Sequence, residues 1–142
     1  MSDNVSFASG ESPEMNAAVA DARASLDEFW SVWSDPDDTS EDFGVKVAYS
    51  VPDEPVKVEH IWVAVLNREG NTIQGSLAAD SMYLPTLRAG STVTVDAIDI
   101  TDWTYTKDGV AYGHHTTKVL INDMSPEYRA HVMASLGWSD DG

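Results

Sequence analysis

The run Phe43-Gly44-Val45-Lys46-Val47-Ala48-Tyr49-Ser50-Val51 and the run that follows it, Val56-Lys57-Val58-Glu59-His60-Ile61-Trp62-Val63-Ala64-Val65-Leu66, decide the fold. In the first, apolar and small or polar residues alternate with period two. That is the pattern of a strand with one face buried. The second opens with the same alternation and becomes apolar on both faces from Ile61 onward. A strand of that kind belongs in the middle of a sheet, where neither side is left to water. The chain is thus organised around a sheet, and the remaining segments are read by how they cover or extend it.

Working outward, residues 51–55 carry two prolines and form a turn. Asn67-Arg68-Glu69-Gly70-Asn71 is a second turn, from which residues 72–78 return as a hairpin partner. Residues 79–90 make a long connection containing Pro85, and residues 91–95 are a short strand. Residues 103–105 and 110–112 flank Thr106-Lys107-Asp108-Gly109, a hairpin signal. Upstream, Ser12-Pro13 is a helix start, with serine as N-cap and proline at the first helical position. Met15, Val19, Ala22, Leu26, Phe29, Trp30 and Trp33 then recur at helical spacing, which predicts one amphipathic helix to about residue 33. It runs into an acidic loop, where Asp35-Pro36 stops it. Residues 114–124 are read as a helix because Thr117, Leu120 and Ile121 share a face. Ser125-Pro126-Glu127 repeats the start signal, and the last helix stops at Gly137.

The expected fold is α+β: an N-terminal amphipathic helix packed on a curved antiparallel sheet of four to five strands, with a C-terminal helix. Residues 13–138 form one domain, between an acidic tail at 1–12 and a short tail at 139–142. A chain of 142 residues fits one domain, and its five tryptophans argue for a packed body.

The net charge is −16, from 24 acidic against 8 basic residues. Such a surface repels nucleic-acid phosphates and anionic membranes, so neither is expected as a partner. It steers basic molecules inward, and a basic protein is the partner the charge selects. With no cysteine there is no disulfide, thiolate nucleophile or thiolate metal site. The first 14 residues lack a basic and an apolar region, so no signal peptide is read, and no apolar run is long enough to span a bilayer. A cytoplasmic location is expected. No phosphate-cradling glycine loop, Gly-x-Ser-x-Gly elbow or His-Glu-x-x-His occurs, and no cofactor or metal is expected.

Several pieces in order carry a likeness to a known family. They are residues 24–30 before the acidic loop, Asp42-Phe43-Gly44-Val45-Lys46-Val47, Glu59-His60-Ile61-Trp62-Val63 and Gly75-Ser76-Leu77-Ala78. They continue with Leu87-Arg88-Ala89-Gly90, Ile100-Thr101-Asp102-Trp103-Thr104-Tyr105, and Gly113 followed by Thr116-Thr117. Over roughly residues 20–138 the chain resembles the bacterial YegJ-like domains of unknown function (DUF 2314 type). The resemblance implies no activity, cofactor or catalytic residue. Where relatives typically read Gly-Gly-Tyr-Thr, this chain reads Gly113-His114-His115-Thr116.

The candidate binding residues are His60, Trp62, Asp102, Trp103, Tyr105, His114 and His115. His60 and Trp62 share one strand face, about 7 Å apart at Cα. Trp103 and Tyr105 share a face, as an apolar wall or as core. Asp102 either caps a turn or orients His60 or His114 across the sheet. Adjacent His114 and His115 diverge on a strand or a helix, so they do not jointly grip one metal. Two functions of different class fit. One is a non-catalytic interaction module, such as an adaptor, inhibitor or immunity-type protein. The other is a small enzyme using His60 with Asp102 or His114 as an acid/base site. Convergence of these three side chains in one pocket would favour the enzyme.

Overall fold

The structure, a computed structural model, describes residues 13–51, 58–82 and 84–138. Among the described residues two helices come first, α1 (Pro13–Ala24) and α2 (Leu26–Ser34). They lead into β1 (Ser40–Ser50), β2 (Val58–Glu69), β3 (Thr72–Leu77) and β4 (Thr92–Asp96). A 3-10 turn, Ala97–Asp99, leads into β5 (Ile100–Lys107) and β6 (Val110–Gly113). The chain ends in α3 (His115–Leu120), a 3-10 turn (Ile121–Asp123) and α4 (Pro126–Ser135). The six strands form one open antiparallel sheet in the order β4-β3-β2-β1-β5-β6. The α+β class holds, but the sheet has six strands where four to five are expected. Each strand falls on a segment read as extended, residues 91–95 and 110–112 included, so the difference lies in how many of those segments join the one sheet.

Val45 stands opposite Val63 on β2 and Trp103 on β5, and Val47 opposite Ile61. With Ile73, Leu77, Val95 and Ile100 they make one continuous apolar face. The helices supply Ala22, Phe29 and Trp30 to the same core. Phe29 is fully buried, its ring 5.7 Å from that of Trp103 and 6.0 Å from that of Phe43. Aromatic rings at these separations add about 0.5–1.5 kcal/mol per pair beyond the area they bury. Leu26 and Val19, expected on the buried stripe, are half-buried.

One helix is expected over residues 13–33; two are observed. The break is at Ser25, whose φ of −103° and ψ of 10° leave the helical region. Its hydroxyl donates back to the Asp21 carbonyl at 2.8 Å, and the Trp103 indole N–H reaches the Ala22 carbonyl (3.2 Å) and Ser25 Oγ (3.1 Å). Serine back-bonding bends helices, and here a distant indole takes up a carbonyl that the break exposes.

A second correction concerns residues 67–71, expected as a turn. β2 instead continues to Glu69 through a register shift between Val65 and Asn67, and the turn shrinks to Gly70-Asn71 with Gly70 at φ 63°. The bulge swings Arg68 to the helix side, where its guanidinium lies 4.4 Å from the Trp30 ring centroid. The other hairpin turn is where it is read, though β5 runs on to Lys107 and the turn narrows to Asp108 and Gly109, whose φ of 54° and 80° are the left-handed pair of a two-residue hairpin. So is the last helix, capped by Ser125 accepting from the Tyr128 N–H and ended by Gly137 at φ 74°. Ser12, the tail at residues 1–12, the turn residues 52–55 and the tail at 139–142 lie outside the described residues.

The acidic loop has a job of its own. Asp37 accepts from the Thr39 N–H and hydroxyl, the Ser40 hydroxyl and the Lys107 ammonium, pinning the entry to β1. The Thr39 bonds are the main cause holding its carboxyl well below the usual range.

Candidate functional site

The face of the sheet opposite Phe29 carries Gly44, Lys46 and Ala48 from β1, His60, Trp62 and Ala64 from β2, and Asp102 and Thr104 from β5. Two concavities occupy it. The wider is a groove of about 350 Å³ whose lining includes Gly44, Trp62, Ala64, Ala78, Thr104 and His114. Gly44 is needed at its floor, because a Cβ there would press on the Val63 carbonyl at 3.3 Å. The Trp62 and His114 rings stand 4.9 Å apart, and Trp138 meets His114 edge-on at 5.9 Å. Lys118 lies 5.7 Å from the Trp138 ring centroid, and Trp138 is itself fixed by donating to the Ala111 carbonyl.

The second is a recess of about 190 Å³ between α1, α3 and the sheet. It is lined by Met15, Asn16, Val19 and Leu120 together with Lys46, His60, Thr101 and Thr116. Lys46 Nζ donates to Thr116 Oγ1 at 3.2 Å, and His60 Nδ1 lies 3.5 Å from the Thr101 hydroxyl.

Asp102 is completely buried between these two features. Its Oδ1 accepts from the backbone N–H of Trp103 (2.8 Å) and of His115 (3.0 Å). Its Oδ2 accepts from the Thr116 N–H (2.8 Å) and the Thr116 hydroxyl (2.6 Å). A carboxylate with both oxygens so engaged ties β5 to the first turn of α3. The expectation that Asp102 caps a hairpin turn or orients a histidine gives way to this one. The signal was the threonine pair after two histidines, but its partner lies 14 residues earlier.

The seven candidates therefore divide. Trp62 and His114 meet on the open face. His60 shares that face but opens into the recess with Lys46. Trp103 and Tyr105 are buried on the opposite, core face, their rings stacked 5.8 Å apart. His115 leaves His114, turns back beneath α1, and rests 5.5 Å from the Trp103 ring and 3.5 Å from Ser25 Oγ. Three residues that the reading of candidate sites passed over matter here: Lys46, Thr101 and Thr116. Lys46 was legible as the sole lysine on an alternating strand, but only β5 and α3 show what it faces. Among the described residues no group of three or more His, Asp or Glu is placed to hold a metal ion, and no helix is long and apolar enough to cross a membrane.

His114 adopts the left-handed conformation, φ 50° and ψ 42°, at the start of α3. Its Nδ1 lies 2.9 Å from Thr117 Oγ1, and its N–H donates to the Trp103 carbonyl. Burial holds its ring pKa down to about 4. The Asp102 carboxylate opposes that shift, while Lys46, Lys118 and His115 add to it. His60 is likewise held to about 4, by burial first and the Lys46 charge second. Both rings are neutral in the fold and bind protons more tightly once unfolded. Their contribution is thus complete above the ordinary histidine pKa of about 6.5 and declines as pH falls toward 4. Allowing for solvent screening of partly exposed rings, each should cost about 1 kcal/mol between pH 7 and pH 5.5. Urea midpoints at the two pH values measure this. His60→Gln should flatten the slope by its share, and an unchanged slope would show that His60 titrates normally.

The sequence places this geometry in a wider set. Residues 12–139 match the family described as uncharacterized protein conserved in bacteria (DUF2314), and the chain belongs to that family. It is also 30% identical over 79 residues to a Neisseria meningitidis serogroup B protein named for ankyrin repeats, a match covering 56% of this chain and 31% of that protein. The chain thus spans under a third of that relative's length. No solved structure matches it.

Proposed function

We propose that this member of an uncharacterised bacterial family is a non-catalytic interaction module that takes a basic polypeptide in the groove of its open sheet face. The observation that carries the reading is the engagement of Asp102. Asp102, the fully buried acid among the candidates, has both oxygens engaged in holding α3 to β5, which supports a structural role for it over that of orienting His60 or His114. The two histidines line different concavities, which supports the binding reading over an acid/base pair of His60 with His114. The groove supplies Trp62 and His114 as contact area, and aromatic anchors dominate binding at such surfaces.

The occupant's charge follows from the rim and the whole molecule. Asp42 borders the groove, and the net charge of −16 draws cationic chains inward. The stretch shared with a relative named for ankyrin repeats supports the same class, since such repeats build extended binding surfaces. The test is capture from the native host with wild-type protein and with Ala64→Arg, which places a cation on the exposed groove wall. A basic protein should be retained by the wild type at low salt. It should be lost both on Ala64→Arg and at about 0.5 M salt, where the Debye length shrinks to a few ångströms. Retention of the same proteins by both forms would overturn the proposal.

A further inference from the structure

On the helix side of the sheet, α1 and α2 meet the β2–β3 hairpin and the 3-10 turn before β5 around a cleft of about 470 Å³. Its lining includes Arg23, Asp27, Trp30, Arg68, Asp96 and Ile98. Two of the chain's eight basic residues thus converge on one cleft, against a net charge of −16. Neither is in an ion pair: those among the described residues join Arg88 to Asp80 and Lys107 to Asp37. Asp27 and Asp96 line the same cleft, yet neither closes on an arginine. We infer that this cleft binds a free α-amino acid with an aliphatic side chain, its carboxylate on Arg23 and Arg68, its ammonium on Asp27 and Asp96, and its side chain against Leu26, Trp30 and Ile98.

Three observations fit that ligand. First, the two guanidinium groups are fixed in place by backbone and ring. The bulge in β2 brings Arg68 to 4.4 Å from the Trp30 ring centroid, and its Nε donates to the Gly70 carbonyl at 2.9 Å. Arg23 Nη1 donates to the Ile98 and Ile100 carbonyls, both at 2.7 Å. These three bonds engage at most three of the ten N–H donors that two arginines carry. A planar fork held this way suits a carboxylate. Second, the charges are of both signs. Asp96 Oδ1 accepts from the Ile98 N–H, and Asp99 is near enough to feel Arg23 without pairing with it. Opposite charges that share a cleft without touching leave a gap that a zwitterion spans. A phosphate would meet the two aspartates, and a peptide C-terminus would bring them no cation. Third, the lining has an apolar part. Ile98 is 68% exposed beside Leu26 and Trp30, and a bound aliphatic side chain covers it. Size agrees, since a cavity of about 150 Å³ accepts six heavy atoms and leucine has about nine.

The test is titration of the full chain with L-leucine, followed by calorimetry and by the Trp30 indole N–H and Arg68 Nε–H resonances. L-Leucinamide, 4-methylpentanoate and sodium phosphate are titrated in parallel. L-Leucine should give saturable shifts at both resonances. Leucinamide lacks the carboxylate and 4-methylpentanoate the ammonium, and each should bind at least about tenfold more weakly. Phosphate should give no saturable shift. Arg68→Lys keeps the charge and loses the fork, and should weaken L-leucine at least about tenfold. Arg68 also holds Gly70 and covers Trp30, so this variant can lose stability. Asp27→Asn changes an exposed position of α2, and should weaken L-leucine about threefold while 4-methylpentanoate binds as before. Equal binding of L-leucine and either analogue would reduce the cleft to a site for one charge and overturn the zwitterion, as would phosphate binding as tightly as L-leucine. No saturable shift in the wild type, or L-leucine binding unchanged in both variants, would overturn the site. The groove lies on the other face of the sheet, so none of these outcomes bears on the basic polypeptide.

Discussion

Asp102→Ala is expected to lower the free energy of unfolding by about 3–5 kcal/mol, the range for stripping one partner from a buried charged network. The substitution leaves three backbone N–H groups and one hydroxyl that now point at a fully buried carboxylate. Each buried donor left unsatisfied costs about 1–3 kcal/mol, though relaxation of α3 would recover part of the sum. Lys46, which reaches Asp102 through Thr116, would also lose its link to that buried negative charge. The measurement is a urea midpoint at unchanged slope, so that the difference reports stability rather than altered compactness. A general base behaves otherwise. Removing it would abolish turnover and leave the fold intact. Wild-type stability in Asp102→Ala would therefore return Asp102 to the catalytic candidates and undercut the interaction module.

Gly113→Ala is expected to cost about 2–5 kcal/mol, from two sources that add at one position. Gly113 has φ 81°, where an L side chain pays roughly 1–2 kcal/mol. A Cβ there would also collide with the Trp103 carbonyl and with two atoms of the Trp103 ring, and overpacking of a tight site costs about 1–3 kcal/mol more. The carbonyl it strikes is the one that accepts from His114 N–H, so the damage falls on the start of α3. Gly109→Ala is the internal control. Its φ of 80° is comparable, but nothing lies within 4 Å of the added Cβ. It should therefore pay the backbone part alone. Equal melting losses for the two variants would show that contact with Trp103 contributes nothing.

The apolar run alone placed β2 in the interior of the sheet, as observed, but its burial is on one face only, at Ile61 and Val63, while Ala64 and Leu66 on the other face are exposed. Capping chemistry alone placed the start of α4 and its stop at Gly137, because those signals are satisfied within a few residues of chain. Composition fixed the charge and removed all thiol chemistry. The candidate list held the right residue types without their sides. Trp62 and Trp103 look equivalent as sequence, yet one lines an open groove and the other is core, because their strands present opposite faces at those positions.

What the tertiary structure decided shares one cause: a partner distant in the chain. The helix breaks at Ser25 because the indole of Trp103, 78 residues on, bonds there. Residues 67–69 stay in β2 because β3 pairs with them across a register shift. Asp102 is structural because residues 115 and 116 return to it, and Lys46 becomes a site residue because Thr116 and His60 close around it. Local propensities act over a turn of helix or a step of strand, whereas a buried polar group is satisfied by whichever segment the fold brings to it.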